Sequence, residues 1–411
     1  MTLTTPDDRE FARFWPIILA CFCIAVFAWG FGFYGQAVYL AELRGMYGWP
    51  AASITAATTC FYLGSALLMP FVHGAIARFG PRTVLTGGVV LLGAGACGFS
   101  HATAPWQLFV AGAVMSAGWA STTGTAIATT LALWFDRGRG LAISLALNGA
   151  SASGFIVAPL LVQLSQAIGL RDAVLRSVLG GLCIVVPIIL ICIRRPRPAG
   201  GVRSTGANAS PDPRPVFADR AMALRDGRFW SVALPFALAT AAQVGFIVHM
   251  VSFLLPALGA TGTGLAVSLA SIAAMGGRLA LGTVIHRLHQ RRASAASFLL
   301  QAIGLGMMLV WPTNPPVLYV GSVLFGLSVG NVITLPSILI HREFAAESFG
   351  LIVGLSGAMV QFTLALGPGL FGVIRDLTGD YTVVLIVCIG LQLAATAIVL
   401  HRRDARTEAT G

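Results

Sequence analysis

The chain has 411 residues, of which 56% are hydrophobic and only 10% charged; its mean hydropathy is +0.84 and its net charge +11. Soluble domains carry about 25% charged residues, so this composition excludes a single soluble core and points to a membrane protein. All 26 basic residues are Arg, which excludes a catalytic or Schiff-base lysine. Their placement, set out below, attributes the positive charge to membrane topology and not to a nucleic-acid partner.

The first residues mix charge signs (Asp7, Asp8, Arg9, Glu10), and the apolar run behind them is too long for the hydrophobic core of a cleavable signal. Twelve apolar segments follow, with ends read to within a few residues. They span roughly 15–40, 52–77, 83–101, 106–134, 140–167 and 173–193, then 229–257, 264–286, 293–312, 316–340, 349–374 and 381–400. Each is long enough to cross a bilayer core of about 30 Å at 1.5 Å rise per residue. Trp15, Trp49, Trp106, Trp134, Trp230 and Trp311 fall near segment ends, where aromatic belts form. Cys21, Cys23, Cys60, Cys97, Cys183, Cys192 and Cys388 all lie in apolar runs without a Cys-x-x-Cys spacing and read as small hydrophobes.

Between the sixth and seventh segments, Arg194–Arg228 is rich in Pro, Gly, Ser and Arg. It reads as a flexible linker with a short surface helix near Pro215–Leu224. The expected organisation is therefore an all-α integral membrane protein of twelve transmembrane helices in two six-helix bundles. These are residues 1–193 and 229–411, the second including a short cytoplasmic tail, joined by a cytoplasmic linker at 194–228. With both termini and the linker inside, 21 Arg are cytoplasmic. Arg44, Arg171, Arg176 and Arg375 fall outside and Arg278 within a span, a strong positive-inside bias.

The two halves echo each other. The second segment ends HGAIARFGPR (73–82) and the eighth ends GTVIHRLHQR (282–291). The fifth begins RGLAISLALNGASASGFIVAP (139–159) and the eleventh FGLIVGLSGAMVQFTLALGP (349–368). Parallel repeats of this kind build transporters whose site lies between the halves near the membrane midplane. Over nearly its whole length the chain resembles the major facilitator superfamily, whose loop after the second helix is similar to His73-Gly-Ala-Ile-Ala-Arg-Phe-Gly-Pro-Arg82. By that resemblance Arg78, Gly80, Arg82 and, in the second half, Arg287 belong to gating loops. Ala77 and His286 stand where the family carries an acid that helps hold the outward-open state, so this latch lacks its usual residue.

The runs Trp134–Ala142, Asn148–Gly154 and Gly372–Tyr381, with Gly277-Arg278, look more particularly like the monocarboxylate and oxalate/formate branch. In that branch an eighth-helix arginine binds the substrate carboxylate, which assigns Arg278 this role. A charge at mid-span is costly and functional by default, and a guanidinium suits a carboxylate through its planar fork. The competing role is structural, on backbone carbonyls or Asn and Gln side chains. The Asp that monocarboxylate carriers place one turn earlier is Ala274 here. Their first-helix Lys has no counterpart, and Gln361 is the nearest polar residue to the eleventh-helix Lys of the oxalate branch.

His249 is the imidazole deepest in a segment. It is a candidate for substrate contact and for proton coupling, since imidazole titrates near neutrality; packing against a neighbouring helix is the alternative. Tyr34 and Gln36 lie in the first segment (GFYGQAVYL, 32–40) and are candidate hydrogen-bond donors to substrate, with interfacial placement the alternative, strongest for Tyr39. Asn148, Asn331 and Gln361 are further substrate-binding candidates, costly to bury. Thr123, Ser151, Ser153 and Thr334 are weaker ones, because Ser and Thr bond back to their own helix. His73, His286, His289 and His341 are expected to be solvated at cytoplasmic ends. There is no phosphate loop and no metal-binding motif.

The expected protein is therefore no enzyme and needs no cofactor or metal. It is a secondary active transporter that moves a small organic anion, a monocarboxylate, by alternating access with possible proton symport. Exchange, uniport, drug or neutral-metabolite export and a non-transporting membrane receptor are the alternatives. Its partners are the organic anion, membrane lipids and protons, with no nucleic acid. The expected setting is a multi-pass monomer in the cell membrane, a bacterial inner membrane.

Overall fold

In the computed structural model of the chain, residues 6–135, 138–193, 217 and 219–401 are described. Every regular element among them is helical. In order these are α1 (Pro6–Trp29), a π-helical turn (Gly30–Tyr34), α2 (Gly35–Tyr47), α3 (Ala51–Phe79), α4 (Pro81–His101), α5 (Pro105–Ala120), α6 (Gly124–Leu131), α7 (Arg139–Ile168) and α8 (Leu170–Cys192). Then follow α9 (Arg220–Arg225), α10 (Gly227–Val284), a 3₁₀ turn (Ile285–Arg287), α11 (Gln290–Val310), α12 (Pro315–Glu343), a 3₁₀ turn (Ala346–Ser348), α13 (Phe349–Thr378) and α14 (Thr382–His401).

Eleven of the described helical stretches are long and apolar enough to cross a membrane, and apart from the first their ends match the sequence-based segments within about a helical turn. Two of them lie in α10, which is a pair of helices meeting at Gly259: Gly227–Gly259 and Thr261–Val284. Gly259 has φ 65° and ψ 179°, a conformation that side-chain-bearing residues avoid. Asp226 opens the pair by accepting the Arg228 N–H, a helix N-cap.

The expected fourth segment, 106–134, is not one helix. It breaks between α5 and α6, where Thr123 is extended at φ −85° and ψ −172°. The local cause is a run of hydroxyl residues. Thr122 Oγ1 bonds back to the Gly118 carbonyl at 2.8 Å, which competes with the regular ladder. Irregular backbone at membrane depth is tolerated when protein covers it, and Thr122 and Thr123 are both buried.

The first segment is longer than expected, from Glu10 to Tyr47, and contains the π turn. A π turn spoils regular carbonyl pairing, and here two tyrosines answer it. Tyr39 donates its hydroxyl to the Phe31 carbonyl at 3.3 Å and Tyr62 donates to Gly32 at 2.9 Å. Trp119 packs against the same turn: a side chain at Gly32 would run into its ring. Trp29, Phe61 and Tyr62 gather around that indole, at ring-centroid distances of 5.2, 5.9 and 5.8 Å.

The chain divides into two compact units. The first holds residues 1–219 and 340–358, and the second residues 220–339 and 359–411. The core of the second unit is built around Phe246, Met250, Phe325, Phe371 and Leu385. Of the expected linker 194–228, most lies outside the described residues, as does the tail from 402. Of the expected surface helix at Pro215–Leu224, residues 215, 216 and 218 lie outside the described residues, and the described part holds α9 from Arg220. Within the first unit, Phe217 is buried, donates its N–H to Ser348 Oγ at 2.7 Å and packs against Phe344 at 5.8 Å between rings.

Candidate functional site

Arg278 sits in the return arm of α10 and is only 1% exposed. Its Nε donates to the Gly330 carbonyl of α12 at 3.2 Å. The two helices can approach because their facing positions are small. A Cβ at Gly277 would lie 2.9 Å from the carbonyl carbon of Leu327, and one at Gly326 would lie 2.7 Å from Cα of Ala270. Small residues allow such backbone contact between membrane helices. The chain has no Asp or Glu between Asp226 and Glu343, so the local sequence around this buried guanidinium supplies no carboxylate.

Two other predicted polar residues share this neighbourhood. Thr334 Oγ1 donates to the same Gly330 carbonyl at 3.1 Å. Asn331 donates Nδ2 to Leu327 at 3.2 Å, while its buried Oδ1 has no hydrogen-bond partner. Gln361 is also buried in the second unit.

His249 lies on the first arm of α10, half-buried. Its ring is 5.8 Å from that of Tyr381 and its edge faces Gly372. Tyr381 in turn lies under the Arg375 guanidinium at 5.8 Å and lines a cavity of about 350 Å³ with Ser252, Phe253, Pro312 and Asp380. His249 thus has an aromatic neighbour that borders an open cavity.

In the first unit, Tyr34 closes the π turn and stacks over Gly154 of α7, where a Cβ would come within 2.8 Å of its ring. Gln36 accepts from Thr58 Oγ1 at 2.8 Å, and its buried Nε2 has no hydrogen-bond partner. Asn148 is buried on α7. Tyr39, for which an interfacial position was the alternative, is instead fully buried on the π turn. Ser153 bonds back to Ala150 at 2.7 Å, the structural behaviour of a helical hydroxyl, and Thr123 sits at the break before α6.

Of the gating-loop residues, Arg78 lies over the Phe79 ring at 5.3 Å and Gly80 turns the chain at φ 82° into Pro81, the first residue of α4. Arg82 is exposed in that helix's first turn, and Arg287 is exposed in the 3₁₀ turn after α10.

Two of the histidines expected to be solvated are half-buried in contacts with other elements. His341 accepts a hydrogen bond from Arg139 Nη1 and packs edge-on to Phe349 at 5.9 Å. Arg139 is itself buried, donates Nε to Phe135 at 2.9 Å and lies over the Phe349 ring at 5.0 Å. His73 is half-buried against Gly350, which has no side chain to occupy that space. Proximity to a segment end says nothing about what another helix end brings alongside, and these contacts join residues far apart in the chain.

The sequence reading also missed a polar network in the second unit. Gln301 of α11 donates Nε2 to Gln243 Oε1 of α10 at 2.7 Å. Gln392 of α14 donates to Gln301 Oε1 and to the Ala239 carbonyl, the latter at 3.2 Å. All three side chains are buried. The signal was available: each is an amide inside an apolar segment, where an unsatisfied polar group is expensive. Arg291 makes a second tie by donating to the Val399 carbonyl and Ser231 Oγ, both at 2.9 Å.

Known proteins give these features a family. The Major Facilitator Superfamily model matches residues 20–293 and 257–410. Human monocarboxylate transporter 11 is 29% identical over 356 residues, covering 78% of this chain and 68% of that protein. The mouse protein of the same name is 30% identical over 348 residues, covering 78% and 72%. MFS transporter asaE of Aspergillus flavus is 24% identical over 344 residues, covering 81% and 74%. Among solved structures, that of the human organic anion transporter MFSD10 (TETRAN) aligns with a TM-score of 0.68 over 96% of this chain and 100% of the other at 15% identity, a likeness of fold. Matched by the family model along nearly its whole length, the chain belongs to the major facilitator superfamily, close to its monocarboxylate branch, and is a multi-pass membrane transporter and not an enzyme.

Proposed function

We propose that this transporter carries a small organic anion, a monocarboxylate, across the cell membrane by alternating access of two six-helix bundles, residues 1–193 and 229–411. Arg278 binds the carboxylate. The observation that carries this reading is a guanidinium only 1% exposed in a membrane helix, within a stretch of sequence that has no acid from 227 to 342. Such a charge is costly to keep without a function, and its planar donors match a carboxylate. The names of the monocarboxylate transporters and of the organic anion transporter support the substrate class by similarity. Tyr34, Gln36, Asn148, Asn331 and Gln361 are the proposed polar contacts to the rest of the substrate.

Uptake of labelled monocarboxylates into vesicles holding the purified protein tests the proposal. Arg278→Ala should abolish anion uptake. Arg278→Lys, which keeps the charge but not the fork, should reduce it at least about tenfold at unchanged membrane abundance. Normal anion uptake by the Ala variant would refute the assignment. A second reading, anion exchange without proton coupling, draws on the lack of any acid inside the apolar segments. It predicts that uptake depends on anion loaded inside the vesicle and not on a pH gradient.

A further inference from the structure

We infer that the break between α5 and α6 is an anion-binding site in the first unit, built from the open N-terminus of α6 and the Thr123 hydroxyl. It takes a small monovalent anion, a halide or the carboxylate group of an organic acid, and it does not depend on the role of Arg278. Three observations carry it. The ladder of α6 begins with the Ile127 N–H on the Thr123 carbonyl at 3.0 Å, so the N–H groups of Gly124, Thr125 and Ala126 precede it and have no acceptor within the helix. Thr123 holds the N-cap position in an extended conformation but makes no capping bond; it is 3% exposed and its Oγ1 has no hydrogen-bond partner. A Cβ at Gly124 would meet only the Leu147 methyls, at 3.9 Å, which leaves room beside the first turn.

The chemistry follows from what these groups offer. Backbone N–H groups only donate, and here they gather at the positive end of a helix. A Thr hydroxyl can donate as well. A cation would be repelled by that end, whereas an anion gains a hydrogen bond from each donor. The break lies inside an apolar segment and is covered by protein, where such bonds are stronger than in water. The structural alternative is a break that only bends the chain. N-cap hydroxyls that serve structure accept from the N–H two or three residues on, and Thr123 does not. A buried hydroxyl without a partner costs stability, and an anion at the first turn offsets that cost by accepting its proton.

The same helix supplies a matched control. Thr130 is fully buried and its hydroxyl also has no partner, but it lies about two turns beyond the opening, in the body of α6. Thr123→Val and Thr130→Val remove equivalent hydroxyls at nearly constant shape, and only Thr123→Val touches the site. The parent for the test is the purified Arg278→Ala protein, or Arg278→Gln should the Ala variant fail to reach the membrane, so that no anion held by Arg278 contributes. Its melting temperature is followed against sodium chloride and sodium formate in turn, with ionic strength held by sodium HEPES, whose sulfonate is too bulky for a covered site. A saturable rise is expected. Thr123→Val should raise the apparent Kd at least about tenfold, and Thr130→Val should leave it within about twofold.

Without chloride or formate, both Val variants should melt at or above the parent's temperature, because each removes an unsatisfied polar group. Gly124→Ala keeps the test open if Thr123→Val does not fold. Its methyl fits without a clash and Ala is the better helix former, yet it fills the room beside the first turn, so the anion-induced rise should be lost. A rise with chloride alone identifies an inorganic anion and a rise with formate a carboxylate; either supports the site. No saturable rise with either salt, equal Kd values in Thr123→Val and Thr130→Val, or the parent's affinity in Gly124→Ala would overturn the inference. So would a fall of more than about 4 °C in anion-free Thr123→Val, which would show that the hydroxyl serves structure.

Discussion

A buried guanidinium needs acceptors for several donors, and Arg278 obtains one from the backbone of a different helix. His249 is a different case. It is half-buried against Tyr381 and Gly372, and Tyr381 borders the 350 Å³ cavity. An imidazole so placed is the candidate for proton coupling among the residues of the apolar segments. If it carries the proton, an inward proton gradient should stimulate anion uptake. His249→Gln should lose that stimulation while still exchanging anion for anion, because Gln hydrogen-bonds without titrating. Gradient-driven accumulation that survives in the Gln variant would remove His249 from the coupling step.

At the level of helices, the second unit is tied together by amides. Gln243, Gln301 and Gln392 link α10, α11 and α14 in one chain of hydrogen bonds. Removing the middle member strands two buried partners. Gln301→Leu should therefore lower stability by about 1–2 kcal/mol, seen as a fall in melting temperature in detergent or nanodiscs. Replacing all three with Leu removes donors and acceptors together, and should cost less than the single change. A triple variant less stable than Gln301→Leu would show that the network contributes more than the satisfaction of its own members. Anion KM should be unchanged in both, since the network does not touch Arg278.

For the whole molecule, the organisation proposed is two six-helix halves with both termini and the linker in the cytoplasm. Reporter fusions at Gly201 and at Gly411 should both read cytoplasmic, and one inserted at Thr103, between α4 and α5, should read external. An external signal at Gly201 would break the six-plus-six arrangement. The proposed count takes α5 and α6 together as one span.

What was readable from the chain alone was whatever depends on local runs of residues. Apolar length marked the membrane helices after the first to within about a turn, and the His73–Arg82 motif, with its echo at 282–291, carried the family resemblance. Arg278 stood out because a charge in an apolar run is conspicuous without any partner in view. Three features depended on contacts between distant residues and were decided only by tertiary structure. The π turn at Gly30–Tyr34 is sustained by hydroxyls from Tyr39 and Tyr62. The break before α6 is acceptable because Thr122 and Thr123 are covered. Gly330, one glycine among 48, accepts a hydrogen bond from Arg278, 52 residues away in the chain. Hydropathy reports how each segment partitions into the membrane, whereas the approach of two backbones is set by which small residues end up facing each other.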